Sequence, residues 1–165
     1  MVKCSLQIGL TQFAKADLAI FDYSLNHLLF KERIDMHLKI ITHEKVVFDE
    51  DVDSIRTRGV DGEFGILKGH IPVMSALDIG VTRITQGEEV HNFTTMGGVF
   101  QFKDDEGIIL TTTAERGDEI DVARAKAALE RAKARLAEHN AQIDAKRSEA
   151  AIARAMARLK ATLNE

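Results

Sequence analysis

Four arginines near the end of the chain have a spacing that could hold an anion. Arg124 and Arg131 are seven residues apart, so they would share nearly one face of a helix. Arg154 and Arg158 are four residues apart, which again places them on one helix face. If these helices pack antiparallel around a turn near residue 141, the four guanidiniums would repel one another unless a phosphate or carboxylate lay among them. Arginines that point outward from a solvated basic face are the alternative interpretation.

The other residues that could do chemistry form no pattern typical of an enzyme. The sequence has no G-x-S-x-G elbow and no Walker-type G-K-[ST] loop. A single cysteine, Cys4, excludes an internal disulfide and a multi-cysteine zinc site. Neither H-x-x-x-H nor H-E-x-x-H spacing occurs among the six histidines, which are His27, His37, His43, His70, His91 and His139. The sequence therefore predicts a protein without catalytic activity of its own.

Glycine, proline and alanine divide the chain into two parts of different secondary structure. All 11 glycines and the only proline, Pro72, precede residue 121. The last 45 residues contain neither and hold 15 alanines. Glycine and proline mark turns, whereas alanine favours helices, so we expect strands followed by helices.

The first part predicts short strands separated by turns. The predicted strands lie at 37–41, 46–48, 52–57, 73–77, 81–85, 90–94, 99–103 and 108–112. The predicted turns lie at 49–51, 61–62, 68–69, 86–87 and 104–107. Strands this short and this regularly spaced indicate an antiparallel β-sandwich or barrel. No long helical segment alternates with them, which argues against a doubly wound parallel sheet.

The second part predicts an antiparallel hairpin of two helices, with a break at 140–144. The first helix has a thin apolar seam of Val122, Leu129, Leu136 and Ile143, with Ala125 and Ala132 between them. The second helix has a seam of Ile152, Met156, Leu159 and Leu163. Because large apolar residues are few and alanine offers little area, we expect weak packing and an arm that can change position. A permanently packed hairpin is the alternative.

Charge is unevenly distributed between the two parts. Residues 121–165 carry a net charge of +4, and residues 1–120 carry −8. A basic arm favours an anionic partner, which could be a nucleic acid, a membrane, a nucleotide or an acidic protein segment. The chain lacks tryptophan and has one tyrosine, Tyr23, so the arm lacks the aromatic residues that stack on single-stranded bases.

Residues 1–35 read as an amino-terminal extension of uncertain status. Positions 14–30 predict an amphipathic helix, and Asp17 and Asp22 argue against an export signal or a mitochondrial transit segment. Met36 is an alternative start, so an over-long gene prediction and a functional helix both stay open. No apolar run approaches the roughly 18 residues typical of a membrane-spanning helix.

Three segments, in order, resemble the epsilon subunit of bacterial F-type ATP synthases. Residues 61–72, DGEFGILKGHIP, resemble its G-E-x-G-I-L-x-G-H-x-P segment. Residues 97–100, GGVF, resemble its second glycine signature. Residues 114–116 and 120–125 resemble the junction into its helical arm. The resemblance runs from about residue 36 to the end of the chain.

The resemblance implies a ten-stranded sandwich over 36–117 and a regulatory helical hairpin over 118–165, whereas the extension over 1–35 has no counterpart in the family pattern. It implies a non-catalytic central-stalk subunit of a proton- or sodium-translocating synthase. Such a subunit couples the catalytic head to the c-ring and inhibits ATP hydrolysis through its mobile arm. The implied partners are the gamma subunit, the c-ring and the alpha/beta head, with no nucleic acid. A free-standing nucleotide-sensing or nucleic-acid-binding module is the alternative.

The resemblance also implies a location and a regulatory ligand. The location is the cytoplasmic face of the bacterial inner membrane, where the subunit is peripheral and bound through the complex. No cofactor is required, but some family members bind ATP in the folded hairpin. The residues at the corresponding places are Glu115, Ile120, Asp121, Arg124, Ala125, Arg131, Arg154 and Arg158.

Within that set, the resemblance assigns roles by charge. Arginines would hold the phosphates, while Glu115 and Asp121 would accept hydrogen bonds from the nucleoside. Asp121 could instead cap its helix, because aspartate accepts hydrogen bonds from exposed amides there.

The resemblance further places the 61–72 loop against the c-ring, with Glu63 and His70 as candidate contacts. An ordinary polar loop is the alternative. Lys68 stands where the family often has proline, which bears on the rigidity of the loop.

Overall fold

Eight β-strands and two α-helices make up the part of the chain that the structure, a computed structural model, describes: residues 36–137 and 145–163. The strands are β1 Met36–Ile41, β2 Val46–Val52, β3 Ser54–Gly59, β4 Gly62–Leu67, β5 Val73–Gln86, β6 Glu89–Lys103, β7 Glu106–Leu110 and β8 Ala114–Arg116. A 3-10 turn, Gly117–Glu119, leads into α1 Val122–Ala137 and α2 Ala145–Ala161. The helix predicted at 14–30 and the break predicted at 140–144 lie outside the described residues.

The strands form a sandwich-like sheet, and the two helices follow it in the chain, as predicted. The strand order is β2-β1-β7-β6-β5-β3-β4, and β8 pairs with β6. Neighbouring strands are antiparallel, except that β1 and β7 run parallel with His37 opposite Glu106. The prediction of an antiparallel sheet is therefore wrong for this one pair.

Two strands are far longer than the sequence indicates. β5 has 14 residues and β6 has 15, and each covers two of the predicted short strands. Gly97 and Gly98 interrupt the ladder between them with φ values of +76° and +132°. A Cβ on Gly98 would overlap the carbonyl oxygen of Leu110, so only glycine fits there. Counting β5 and β6 twice gives the ten strands that the resemblance implies.

Two local predictions are wrong. Positions 49–51 form no turn, because β2 continues through them to Val52. Residues 61–72 are not all loop, because Gly62–Leu67 forms β4, which pairs with β3. In both places, charged residues and glycines that favour turns lie in strands whose partners come from elsewhere in the chain.

The core of the sandwich consists of large apolar side chains from seven strands. Alternate residues of β1 point inward, so Met36, Leu38 and Ile40 are buried. They pack in one cluster with buried phenylalanines from β6, among them Phe93 and Phe100. This base has the large apolar area that the helical arm lacks.

The helical arm packs through small residues. The buried residues of α1 are Ala125 and Ala132, and those of α2 are Ser148, Ala155, Ala157 and Ala161. Ala125 and Ala132 of the predicted seam are therefore buried as expected, whereas the prediction is wrong for Val122 and Met156, which are exposed. α2 also packs on β5 and β6 of the sandwich. Among the described residues, neither helix is long and apolar enough to cross a lipid bilayer.

A cross-strand ion cluster fixes the edge strand β2 to β1. The His37 ring bonds Asp51 through Nδ1 at 2.8 Å and Asp49 through Nε2 at 2.7 Å. Lys39 Nζ lies 2.9 Å from the second Asp49 oxygen. Two carboxylate acceptors favour the imidazolium that donates from both nitrogens. The hydrogen bond to Asp51, and then that to Asp49, therefore raises the pKa of His37.

We expect this cluster to make stability depend on pH. Because the pKa of His37 is raised, its contribution to the free energy of unfolding is fully present below its unfolded value of about 6.5. The contribution is lost as the pH rises through the folded pKa. The difference between the wild type and His37→Gln in urea unfolding should thus shrink from pH 6 to pH 8. His43→Gln, which changes another exposed histidine, is the control. If the difference between the wild type and His37→Gln stayed constant with pH, the cluster would not have the proposed role.

Candidate functional site

A cleft of about 470 Å³ lies where the sandwich meets the two helices. Its volume is within the range of small-molecule sites. β8, the 3-10 turn, α1 and α2 all contribute to its walls. The lining residues are Glu115, Glu119, Ile120, Asp121, Arg124, Ala125, Ala128, Arg131 and Arg158.

The basic side of the cleft combines both helices. Arg124 and Arg131 extend from α1, and Arg158 comes from α2. The spacing argument therefore correctly brings these three arginines to one place. Arg154, one helical turn before Arg158, is not among the lining residues.

An ion pair between Glu115 and Arg158 joins α2 to the sandwich. Arg158 donates from Nε and from one terminal nitrogen to the two Glu115 carboxylate oxygens, each at 2.8 Å. The side chains are 34% and 31% exposed, so water screens the pair only in part. The sequence analysis expected a phosphate or a carboxylate among these arginines, and for Arg158 the chain itself supplies that carboxylate, Glu115.

The same contact sets the protonation of both groups. The hydrogen bond from Arg158 lowers the pKa of Glu115, and the charges of Arg158 and then Arg124 lower it further. Burial raises the pKa of Glu115 and outweighs either charge contribution alone, but it is a smaller influence than the hydrogen bond. That hydrogen bond also raises the pKa of Arg158. The pair is thus ionised throughout the physiological pH range.

Asp121 caps the first helix. Its Oδ1 accepts a hydrogen bond from the Arg124 backbone amide at 3.0 Å, and its carbonyl accepts one from Ala125 at 3.0 Å. This is the capping geometry that the sequence left as an alternative. The cap also fixes the start of α1, and so it positions the Arg124 side chain at the mouth of the cleft.

Two lining residues were not predicted. Glu119 lies in the 3-10 turn, two residues before Asp121. Ala128 lies one helical turn after Arg124, on the same face of α1. The helix spacing could have indicated Ala128. The position of Glu119 depends on the 3-10 turn, which carries no such period.

The cleft offers donors and acceptors together. Three guanidiniums stand beside three carboxylates, so their formal charges balance. This suits a ligand that has phosphate at one end and hydrogen-bond donors at the other, rather than a bare anion. Within the described ranges, no group of three or more histidine, cysteine or acidic residues could hold a metal ion.

The two predicted c-ring contacts lie elsewhere. Glu63 is in β4, where its Oε1 lies 3.6 Å from Lys160 Nζ of α2. His70 follows β4 and donates from Nδ1 to the Ile71 carbonyl at 2.7 Å. The His70 ring lies edge-on to Phe102, with centroids 6.2 Å apart. Neither residue lines the cleft.

An exposed apolar surface that the sequence analysis missed covers part of three strands. Met74 in β5, Val99 in β6 and Leu110 in β7 are 68%, 40% and 52% exposed. Val99 lies directly opposite Leu110, and Ala76, two residues after Met74, lies opposite Val99. We call these residues the apolar face. Adjacent apolar residues in a strand make both of its faces apolar. Such runs are the sequence signal that could have indicated the apolar face.

Comparison with known proteins assigns both parts of the chain. The family model described as ATP synthase, Delta/Epsilon chain, beta-sandwich domain matches residues 35–117. The model described as ATP synthase, Delta/Epsilon chain, long alpha-helix domain matches residues 118–162. The ATP synthase epsilon chain of Desulforamulus reducens is 46% identical over 99 residues, which cover 60% of this chain and 75% of that one. That of Carboxydothermus hydrogenoformans is 45% identical over 100 residues, which cover 61% and 75%.

Solved structures agree with the family models. A chain of the Euglena gracilis mitochondrial ATP synthase, in the OSCP/F1/c-ring assembly, superposes with a TM-score of 0.70 at 25% identity. The match covers 79% of this chain and 82% of that one. A chain of the Tetrahymena thermophila mitochondrial ATP synthase central stalk and c-ring has a TM-score of 0.53 at 17% identity, which shows the fold alone.

The chain has a β-sandwich followed by a basic helical arm, and family models match both parts. This combination defines the class of delta and epsilon stalk subunits. The chain belongs to the ATP synthase delta/epsilon chain family. It is an epsilon subunit of the F-type synthase, a component of the central stalk rather than a catalytic subunit. The free-standing module that the sequence left open is thereby disfavoured.

We expect Glu115→Gln to loosen the attachment of α2. The amide keeps the shape but removes the charge that Arg158 binds, so the free energy of unfolding at pH 7 should fall by about 1 kcal/mol. Because the pKa of Glu115 is lowered, this difference should be present above pH 4.3 or so and vanish as the pH falls through the folded pKa. Urea unfolding followed by circular dichroism measures both effects.

Glu130→Gln is the matched control, because Glu130 pairs with Lys133 inside α1 at 3.0 Å and joins no two elements. The control should change stability by at most a few tenths of a kcal/mol. Equal losses in the two variants would mean that the Glu115–Arg158 pair does not hold the arm.

Proposed function

We propose that this subunit couples the catalytic head to the c-ring, restrains ATP hydrolysis through its helical arm and senses ATP in the cleft. The observation that carries the proposal is the cleft itself. It draws arginines from both helices and a carboxylate from the sandwich, so a ligand bound there contacts every element that defines the folded arm. ATP is the ligand class that the charges suit.

The cleft supports a definite division of roles for ATP. Arg124 and Arg131 are exposed and face the cleft, which suits them to the phosphates. Glu115 and Asp121 would accept hydrogen bonds from the nucleoside, beside the apolar surface of Ile120 and its neighbours. A phosphate that reached Arg158 would have to compete with Glu115. ATP would stabilise the folded arm by mass action, because it binds only when the walls of the cleft are together.

Release of the arm would account for inhibition. Its buried residues are mostly alanines, so little apolar area opposes undocking. Once released, the helices would extend along the stalk and present their basic residues to acidic segments of the alpha/beta head. ATP in the cleft would oppose this movement, so hydrolysis would be restrained most when ATP is scarce.

The sandwich would supply the fixed contacts of the stalk. The apolar face of Met74, Val99 and Leu110 has the chemistry of a protein-binding surface, and we assign it to the gamma subunit. Glu63 and His70 are assigned to the c-ring. These contacts would hold the subunit at the cytoplasmic face of the bacterial inner membrane, peripheral and bound through the complex.

ATP binding to the isolated full chain tests the cleft. Arg124→Gln should weaken binding roughly 10- to 100-fold, since a hydrogen bond to a charged group contributes about 1.5–3 kcal/mol. Arg135→Gln is the matched control, because Arg135 lies on α1 but does not line the cleft. Isothermal titration calorimetry gives the dissociation constants. Absence of heat with the wild type at millimolar ATP would remove the nucleotide site from the proposal.

Removal of residues 121–165 tests inhibition. The sandwich should stay folded, because its apolar core contains no residue from the arm. ATP hydrolysis by the complex reassembled with the truncated subunit should rise several-fold relative to the full chain. Circular dichroism checks the fold and a coupled assay measures hydrolysis. Unchanged hydrolysis with a folded sandwich would mean that the arm does not inhibit.

A further inference from the structure

The end of α2 meets the sandwich in a second place, separate from the cleft. Asn92 of β6 is buried, and its Nδ2 donates to the Leu163 carbonyl at 3.1 Å. Leu163 lies two residues after the end of α2, and its own amide donates to the Lys160 carbonyl at 3.1 Å, so Asn92 holds the segment that directly follows the helix. This hydrogen bond joins residues 71 apart in the sequence.

Gly117 makes the close approach of α2 possible. It is buried at the start of the 3-10 turn, and a Cβ there would overlap the carbonyl oxygen of Ala161. The same Cβ would lie 3.3 Å from the Asn92 carbonyl oxygen, which is a tight but adjustable contact. Its φ lies outside the left-handed region, so the position requires space rather than glycine's backbone freedom. We call Asn92, Gly117 and the Ala161–Leu163 segment the latch.

Other links between α2 and the sandwich are weaker or incomplete at this end. Lys160 and Glu63 are 3.6 Å apart and largely exposed, so their ion pair contributes little. A cavity of about 160 Å³ remains beside the latch, bounded by His91 and Arg116 of the sandwich and by Thr162. Apolar packing therefore does not seal the end of the helix, and the contact depends on the fit at Gly117 and on the Asn92 hydrogen bond.

We propose that the latch sets the fraction of molecules whose arm is folded, and through that fraction the ATP affinity of the cleft. Arg158 lies one turn before Ala161, so α2 cannot leave the latch without withdrawing Arg158 from Glu115. The latch residues do not line the cleft. They act on it as positioning residues, because apparent affinity falls in proportion to the folded fraction. The effect of the latch on ATP affinity rests on the proposed function. Its effect on the folded fraction of the arm does not.

Distances between spin labels in the full-length chain test the latch directly. Cys4 is replaced by serine, and labels are attached to cysteines at Met156, exposed on α2, and Glu88, in the turn between β5 and β6. The latch variant is Gly117→Ala. Gly65→Ala is the matched control, since a Cβ there meets only an ordinary contact at 3.7 Å.

Gly117→Ala should add a second, longer distance that Gly65→Ala and the parent chain lack. Asn92→Asp keeps the shape but removes the donor, and it should shift the ratio of folded to released arm by about 2- to 10-fold. If circular dichroism shows that Gly117→Ala does not fold, Asn92→Asp alone tests whether the latch holds the arm. Distance distributions that match the parent chain in the folded latch variants would overturn the proposal.

Two further measurements separate the latch from the proposed function. In titrations with ATP, both latch variants should raise the dissociation constant by the factor by which the folded fraction falls. In the reassembled complex, they should lower ATP hydrolysis. A changed distance with unchanged hydrolysis would leave the latch in place and remove inhibition by the arm.

Discussion

The position of the helical arm depends above all on the two-pronged ion pair between Glu115 and Arg158. The arm has almost no large apolar residues to bury, so its attachment cannot come from area alone. Glu115 belongs to β8, which is hydrogen-bonded to β6, and so Arg158 is tied to the centre of the sheet. With Arg158 fixed, α2 lies along the sandwich, α1 lies along α2, and the cleft has its three walls. Without it, the latch at the end of α2 and the alanine contacts would alone determine where the helices lie.

This division of forces gives the two parts of the chain different mechanical characters. The sandwich is stabilised by a cluster of buried phenylalanine, isoleucine and leucine side chains that loses its free energy only on unfolding. The arm is attached by a few directional polar contacts, and each of these can be exchanged for water or for a ligand at modest cost. The release of the arm that we propose would follow from that contrast, and it would require no hinge sequence of special composition.

Sequence reasoning predicted the parts of the molecule that depend on local composition. The alanine-rich helices, the sandwich and the convergence of Arg124, Arg131 and Arg158 are all confirmed, because period and propensity act over a few residues. Its errors lie where residues that are distant in the sequence determine the local structure. Asp49 and Asp51 read as a turn, but His37 and Lys39 on the neighbouring strand hold them extended. The need for glycine at 117 arises from Ala161, 44 residues later, and no local pattern contains that information.

The balance of charge in the cleft also limits what the arm could respond to. An inorganic anion that approached Arg158 would meet Glu115 already bound to it and would gain little by displacing an equal charge. A larger ligand can leave that pair intact, place its phosphates against Arg124 and Arg131, and add hydrogen bonds to the acidic side of the cleft. Such a ligand would stabilise the folded arm instead of competing with its main attachment. If the cleft binds ATP as proposed, the ion pair that holds the arm would also favour ligands with two chemically different ends, which is the property a nucleotide sensor needs.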